Sequence, residues 1–196
     1  MMQNFHHQNF NELMTFNPTK LAGAFTIDVQ PFQDSRGFFT RTFCEKEFAE
    51  HDLVQHFVQA NHSGTHGKGV IRGMHFQHAP HCEVKLVKCV QGAIFDVIVD
   101  VRAGSPTFLQ WFGAELSAEN KRMMYVPAGF AHGFQSLSDY SEITYMVSAF
   151  YSKESEGGVK YDDAKVNIEW PLPVSLVSDK DLSIPLIDVS FTGVTL

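Results

Sequence analysis

Two alternating segments that flank a single turn constrain this chain more than any other feature. "KLVKCV" and "AIFDVIVDV" lie on either side of Gln91-Gly92, and a glycine between two such segments is typical of a tight hairpin turn. In the second segment, the even positions 94–100 carry Ile and Asp, and the odd positions 95–101 carry Phe and Val. Successive side chains of a strand point to opposite faces, so the segment predicts a strand with two chemically different faces.

Similar strand patterns recur along most of the chain. "AFTIDVQPF" precedes the pair, and "FLQWFGAEL", "RMMYVPAGF" and "EITYMVSAFY" follow it, separated by "SAEN" and "SLSDYS". The best helix candidate is "CEKEFAEHDL", residues 44–53. Short strands at regular spacing predict an all-β fold, a sandwich or barrel with a few short helices. We divide the chain into a polar N-terminal extension, residues 1–20, and a single domain, residues 21–196.

Charge and cysteine content exclude several classes of protein. The net charge of −7 argues against general nucleic-acid binding, which requires basic surface to displace counterions. Cys44, Cys82 and Cys89 show no C-x-x-C spacing, so we expect free thiols in a reducing compartment. The first residues lack the pattern of a signal peptide, and no apolar run approaches the roughly 20 residues of a membrane helix. We therefore expect a cytoplasmic protein with no membrane partner.

The stretch "GVIRGMHFQHAPHCEVKLVKCVQG", residues 69–92, raises the question of a metal site. "PAGFAHGF", residues 127–134, contains P-x-G-x-x-H and resembles the second motif of the cupin superfamily, whose fold is a jelly-roll β-barrel. Cupins usually pair this motif with an H-x-H…E metal motif, which is missing here although His75, His78, His81 and Glu83 are present. Ligands at i and i+3 face opposite ways on a strand, so we predict no metal ligands. A metal-dependent cupin oxygenase or isomerase stays as an alternative.

Nine motifs in order make the resemblance more specific. They are "RGFF", "VQANHSGTHGKGVIRGMHFQ", "KLVKCVQGAIFDVIVDVR", "SPTF", "VPAGFAHGF", "YMVSAFYS", "EGGVKYDD", "NIEWP" and "LVSDKD". From about Leu21 to about Pro185 the chain resembles the dTDP-4-dehydrorhamnose 3,5-epimerase family. The resemblance implies a dimeric jelly-roll enzyme of deoxysugar biosynthesis, without cofactor. It implies that the enzyme inverts C3, C5 or both in a nucleotide-linked 4-keto-6-deoxyhexose.

The resemblance also implies four catalytic groups. Epimerisation beside a ketone requires a base, a stabiliser of the enolate oxygen and an acid on the opposite face. His75 is carried over as the base and Tyr145 as the acid. Lys85 is the cation near the ketone oxygen, and Asp181 is the carboxylate that holds His75. Asp162 and Asp163 are the alternatives to Asp181.

Eight further positions match contacts to a nucleotide diphosphate sugar. Arginine and lysine suit phosphates, and the polar and aromatic residues suit sugar hydroxyls or the base. The predicted binding residues are Arg36, Gln59, Asn61, Arg72, His132, Tyr151, Glu156 and Lys180. One departure is "RGFFTR", which places Arg41 where the family often has a glutamate that contacts the ligand. The nucleotide, the sugar and the number of inverted centres therefore stay open. A 3-epimerase acting on another keto sugar and a catalytically silent sugar-nucleotide-binding protein are the alternatives.

Overall fold

Two β-sheets packed face to face make up most of the molecule. The structure is a computed structural model and describes residues 13–196. Its strands, in chain order, are Met14–Pro18 (β1), Phe25–Val29 (β2), Phe32–Asp34 (β3), Gly37–Phe39 (β4), Gln59–His66 (β5), Val70–Gln77 (β6), Lys85–Gln91 (β7), Ala93–Asp100 (β8), Trp111–Ser117 (β9), Met123–Val126 (β10), Phe130–Ser136 (β11), Tyr140–Val147 (β12), Glu156–Gly158 (β13) and Leu176–Val177 (β14). Two short helices, Glu45–Ala49 (α1) and Asp179–Leu182 (α2), and a 3-10 turn at Lys153–Ser155 accompany them. The predicted all-β fold with a few short helices is confirmed.

The order of the strands defines the two sheets. The first sheet has the order β1-β2-β10-β7-β12-β5, and the second has the order β13-β6-β11-β8-β9, with β14 added parallel to β6. Strands β3 and β4 form a separate two-stranded hairpin. Strand β1, in residues 14–18, pairs with β2, so this part of the predicted extension belongs to the first sheet. Residues 1–12 lie outside the described residues.

The turn at Gln91-Gly92 is real, but the prediction of a hairpin was wrong. Strand β7 pairs with β10 and β12 in the first sheet, whereas β8 pairs with β11 and β9 in the second. Gly92 has φ +69°, and a Cβ there would lie 2.3 Å from the carbonyl oxygen of Tyr140. The turn therefore carries the chain from one sheet to the other. Local alternation cannot distinguish this connection from a hairpin, because it predicts a strand on each side of the turn but not which strands each of them pairs with.

The main apolar core lies between the sheets and uses the face of β8 that carries two aspartates. Ile94 and Ile98 of β8 are completely buried and pack in one cluster with Phe130 and Phe134 of β11. Val87, Met124 and Ile143 of the first sheet complete the other side of this cluster. The Phe and Val face of β8 is also buried, under the C-terminal segment. Both faces of this strand are therefore interior, which explains why neither is predominantly charged.

The two aspartates on the core face of β8 each have local partners. Asp100 accepts hydrogen bonds from Arg102, Ser105 and Thr107 at 2.6–2.9 Å, and so closes the loop that follows the strand. Asp96 accepts a hydrogen bond from His132 Nε2 at 2.8 Å. These partners replace water for both oxygens of Asp100 and for one oxygen of Asp96, whereas the other oxygen of Asp96 is buried without a hydrogen-bond partner among residues 13–196.

The C-terminal segment returns across the second sheet and brings α2 to β6. Leu176 and Val177 pair with Val70 and Ile71, and α2 begins directly afterwards. Ser178 caps the helix, because its hydroxyl accepts the N–H of Asp181 at 3.1 Å. This arrangement places Asp181 against β6, more than a hundred residues away in sequence.

Replacement of a core side chain tests the packing between the sheets. We expect Ile98→Ala to lower the free energy of unfolding by about 2–5 kcal/mol, because it removes buried methyl groups and leaves a cavity. Val189→Ala is the control, since Val189 is 96% exposed, and we expect it to change stability by less than about 0.5 kcal/mol. Urea denaturation followed by tryptophan fluorescence measures both. Equal stability of the two variants would contradict the placement of Ile98.

Candidate active site

A cavity of about 210 Å³ opens between the two sheets where the apolar core ends. Polar and aromatic side chains from both sheets and from the loops beside them form its wall. The lining residues are Gln59, Asn61, His75, Phe76, Gln77, Glu83, Lys85, Tyr145, Val147, Tyr151 and Glu156. Of the twelve predicted site residues, seven line this cavity: His75, Lys85, Tyr145, Gln59, Asn61, Tyr151 and Glu156.

The first sheet contributes side chains to the cavity because alternate residues of its strands face inward. Tyr145 of β12 lies opposite Asn61 of β5 on one side and Val87 of β7 on the other. Val87 belongs to the core between the sheets, so Tyr145 also points inward, and Lys85 two residues before Val87 shares that face. The inner face therefore changes from apolar core to polar cavity along the same strands.

The second sheet supplies His75, which is held by Asp181. The Nε2 atom of His75 lies 2.6 Å from Oδ1 of Asp181, and the other carboxylate oxygen accepts the N–H of Gly73 at 3.2 Å. Burial raises the pKa of Asp181, but the hydrogen bonds from His75 and Gly73 outweigh it and hold that pKa below its ordinary value. The alternative partner Asp163 lies elsewhere and binds the backbone N–H of Lys165 and Ile187.

Lys85 has a carboxylate partner that the motif resemblance does not include. Its Nζ lies 2.9 Å from Oε1 of Glu83, and both side chains are nearly buried, with exposed fractions of 10% and 11%. The other oxygen of Glu83 accepts a hydrogen bond from Gln77 Nε2. From the sequence, Glu83 was considered only as a metal ligand. It lies in the loop before β7, so strand alternation does not predict its contact with Lys85.

Tyr145 is a phenol in a partly desolvated position. Burial raises its pKa, the charge of Glu83 raises it further, and the charge of Arg72 opposes both. Its hydroxyl therefore stays protonated at neutral pH, which is the state that an acid requires.

Glu156 connects the outer rim of the cavity to Lys180. It accepts a hydrogen bond from the hydroxyl of Tyr151 at 3.1 Å and forms an ion pair with Lys180. Burial raises the pKa of Glu156, but the hydrogen bonds from Lys180 and Tyr151 outweigh this and lower it. Gln59 accepts the backbone N–H of Tyr151 at 2.9 Å, so this rim is tied to β5.

Five predicted residues do not form the cavity wall. Asp181 lies behind His75, and Lys180 pairs with Glu156 at the rim of the cavity. Arg72 bonds the carbonyl of Gly64 at 3.0 Å, and so spans from β6 to β5 near Tyr145. His132 lies opposite His75 in register but is buried against Asp96. Arg36 is 85% exposed, pairs with Asp34 and lies in the β3–β4 connection, away from the cavity.

Arg41, which stands where the family often has a glutamate, forms an ion pair with a residue close to it in the chain. Its guanidinium lies 2.8 Å from Glu47 of α1.

Among residues 13–196, no group of three or more His, Cys, Asp or Glu side chains is placed to hold a metal ion. Within the same range, no helix has the length and apolarity needed to cross a membrane.

Comparison with known proteins assigns the chain to a family. The model of the dTDP-4-dehydrorhamnose 3,5-epimerase family matches residues 18–188. The chain belongs to this family. The family member from Shigella flexneri is 48% identical over 166 residues, which is 84% of this chain and 91% of that protein.

Two solved structures of related epimerases share the fold. The dTDP-6-deoxy-D-glucose-3,5-epimerase of Legionella pneumophila Philadelphia 1, in complex with dTDP-4-keto-L-rhamnose, is 40% identical with a TM-score of 0.85. The match covers 92% of this chain and 98% of that one. ChmJ, a 3'-monoepimerase from Streptomyces bikiniensis in complex with dTDP-quinovose, is 32% identical with a TM-score of 0.82, and covers 87% and 86%. The same fold therefore occurs in epimerases that invert one carbon centre and in epimerases that invert two.

The low pKa of Asp181 makes part of the stability depend on pH. A carboxylate whose pKa is lower in the folded than in the unfolded chain stabilises the fold above its unfolded pKa, about 3.9, and this contribution is lost as pH falls through the folded pKa. We expect the stability difference between wild type and Asp181→Asn to shrink as pH falls from about 6 to about 3. Urea denaturation at a series of pH values measures it.

Asp179→Asn is the matched control, because Asp179 is an exposed residue of the same helix. We expect its stability to run parallel to that of the wild type over the same pH range. A constant difference between wild type and Asp181→Asn would show that the carboxylate is not stabilised by His75.

Proposed function

We propose that this chain is a nucleotide-sugar 3,5-epimerase of deoxysugar biosynthesis that acts on a nucleotide-linked 4-keto-6-deoxyhexose. The observation that carries the proposal is that His75 and Tyr145, from opposite sheets, line one cavity together with Lys85. A base and an acid on facing walls can act on the two faces of a sugar ring bound between them. Family membership and the ligand of the related Legionella enzyme support the choice of substrate.

The proposed reaction begins with proton removal by His75. Asp181 accepts the hydrogen bond of Nε2, so in the neutral imidazole the proton sits there and Nδ1 is the basic nitrogen. Nδ1 takes the proton from the carbon beside the ketone, and the electron pair of that C–H bond forms the enolate. The carboxylate of Asp181 then stabilises the imidazolium.

Lys85 and Tyr145 complete the exchange. The ammonium of Lys85 stabilises the negative charge on the enolate oxygen. Tyr145 donates its proton to the carbon from the opposite face, which restores the ketone with inverted configuration. The substrate's own carbonyl accepts the electrons, so the proposed reaction requires neither an organic cofactor nor a metal ion.

The nucleotide diphosphate is expected at the rim of the cavity. Lys180 and Arg72 lie there and suit phosphate oxygens, and the exposed ring of Tyr151 suits the base or the sugar. A 3-epimerase is the second candidate, because ChmJ has the same fold and inverts one centre.

We propose further that two copies of the chain form a homodimer through the β3–β4 hairpin. Phe38 and Phe39 are 60% and 65% exposed on this hairpin, which is unusual for adjacent large apolar side chains. Arg36 lies in the same hairpin and away from the cavity of its own chain. If a second subunit covers these phenylalanines, Arg36 of the first subunit would lie close to the cavity of the second subunit. The cytoplasmic location stays a prediction of the sequence.

Isotope exchange tests the reaction and separates the two catalytic groups. We expect wild-type enzyme in heavy water to place deuterium at C3 and C5 of dTDP-4-keto-6-deoxyglucose. His75→Ala removes the base and should lower both exchange and inversion by roughly 100- to 10,000-fold. Tyr145→Phe should lose inversion, while exchange continues through His75. Mass spectrometry reads exchange, and NMR of the sugar reads configuration.

Two variants outside the cavity are matched controls for these substitutions. His62→Ala and Tyr140→Phe remove an imidazole and a hydroxyl that contact Glu142, and both should retain wild-type turnover. Full activity of His75→Ala would end the proposed mechanism. Loss of wild-type activity in a chelator, with recovery on addition of a metal ion, would favour the metal-dependent cupin instead.

The oligomeric state tests the role of the hairpin. We expect wild-type protein to sediment as a dimer, and the double variant Phe38→Ser, Phe39→Ser to sediment as a monomer, because the substitution removes apolar area from the proposed interface. Analytical ultracentrifugation measures both, and Val189→Ser serves as an exposed control. A monomeric wild type, or a variant that stays dimeric, would contradict the proposed interface.

A further inference from the structure

Glu83 is a nearly buried carboxylate in the cavity wall that the proposed mechanism does not use. Its side chain is 11% exposed, one oxygen contacts the ammonium of Lys85 at 2.9 Å, and the other accepts a hydrogen bond from Gln77. A carboxylate removed from water costs free energy unless such partners replace the lost hydration. Its two contacts therefore explain how it is tolerated in the wall, and they also fix its position.

Gln77 anchors Glu83 to the surrounding backbone. Gln77 is 4% exposed, and its amide nitrogen also lies 2.9 Å from the carbonyl of His81. Its amide oxygen accepts the N–H of Ser152 at 2.6 Å. The amide is therefore held on both sides, and it holds Glu83 at a defined point of the wall. Glu83 in turn restricts the long, flexible side chain of Lys85 to one position.

We propose that Glu83 is a positioning residue, which holds the Lys85 ammonium at the place of the substrate's ketone oxygen. The proposal rests on the function proposed above. Without Glu83, the four-carbon chain of Lys85 would sample several rotamers, and ordering it at each turnover would cost conformational entropy. A fixed donor avoids this reorganisation when charge develops on the oxygen.

The effect on Tyr145 follows from the charges that face the cavity. Glu83 precedes β7 and Lys85 is its first residue. Arg72 and His75 lie on β6, and Glu156 lies on β13. After burial, the charge of Glu83 is the stronger contribution to the raised pKa of Tyr145, and Arg72 acts in the opposite direction. Neutralising Glu83 therefore lowers the pKa of the Tyr145 phenol, so that Tyr145 loses its proton, and can no longer act as an acid, at a lower pH.

Two substitutions separate the charge of Glu83 from its contact. Glu83→Gln keeps an oxygen that can accept from Lys85 but removes the charge, whereas Glu83→Ala removes both. We expect kcat of Glu83→Gln near neutral pH to stay within about threefold of wild type, and its alkaline limb to move to lower pH by about half a unit or more. We expect Glu83→Ala to lose about tenfold or more in kcat, with little change in KM.

A second measurement does not depend on turnover. Protein labelled with [13Cζ]tyrosine reports the ionisation of Tyr145 by NMR, and Tyr145→Phe identifies its signal. We expect this signal to titrate at lower pH in Glu83→Gln than in wild type. Glu154→Gln is the matched control, because it neutralises an exposed carboxylate near the rim and should change neither the titration nor kcat.

The outcomes distinguish this proposal from the proposed function. An unchanged alkaline limb and an unchanged Tyr145 titration in Glu83→Gln would overturn the role of the charge. Wild-type kcat in Glu83→Ala would overturn the positioning of Lys85. Inactivity of the wild-type protein on every 4-keto sugar nucleotide would instead overturn the proposed function, and it would be seen before any variant is compared.

Discussion

Burial of apolar side chains between the two sheets is the constraint on which the rest of the structure depends. Ile94, Ile98 and Phe134 of one sheet meet Val87 and other residues of the facing sheet with almost no exposure to water. Because side chains alternate along a strand, the faces that form this core also carry the residues of the cavity a few positions further on. The position of the cavity is thus set by where the core ends.

Most of the charged groups in and behind the cavity wall are paired with a group of opposite charge or with a hydrogen-bond donor. A charged side chain removed from water is strongly unfavourable unless hydrogen bonds or an opposite charge replace the hydration. Asp181 with His75 and Glu83 with Lys85 meet this condition inside or behind the cavity wall. The consequence for chemistry is preorganisation, since donors and acceptors already stand in place before a substrate binds.

Much of the candidate site was predictable from sequence motifs, because motif residues on neighbouring strands face one cavity. His75, Lys85 and Tyr145 were predicted from the family resemblance and line the same space. Glu83 was missed as a partner of Lys85, since its contact depends on how the loop before β7 folds against Gln77. Arg36 lies outside the cavity of its own chain, a position that no local pattern reveals.

The sequence by itself determined the all-β class and the family, because alternation and motif order are properties of the chain read in one dimension. The tertiary structure decided which strands pair. The segments around Gln91-Gly92 alternate as a hairpin would, yet they belong to opposite sheets, because β7 pairs with β10 and β12 while β8 pairs with β9 and β11. Only the folded chain brings Asp181 to His75, since the free energy of that contact depends on packing of the C-terminal segment against β6 and not on local propensity.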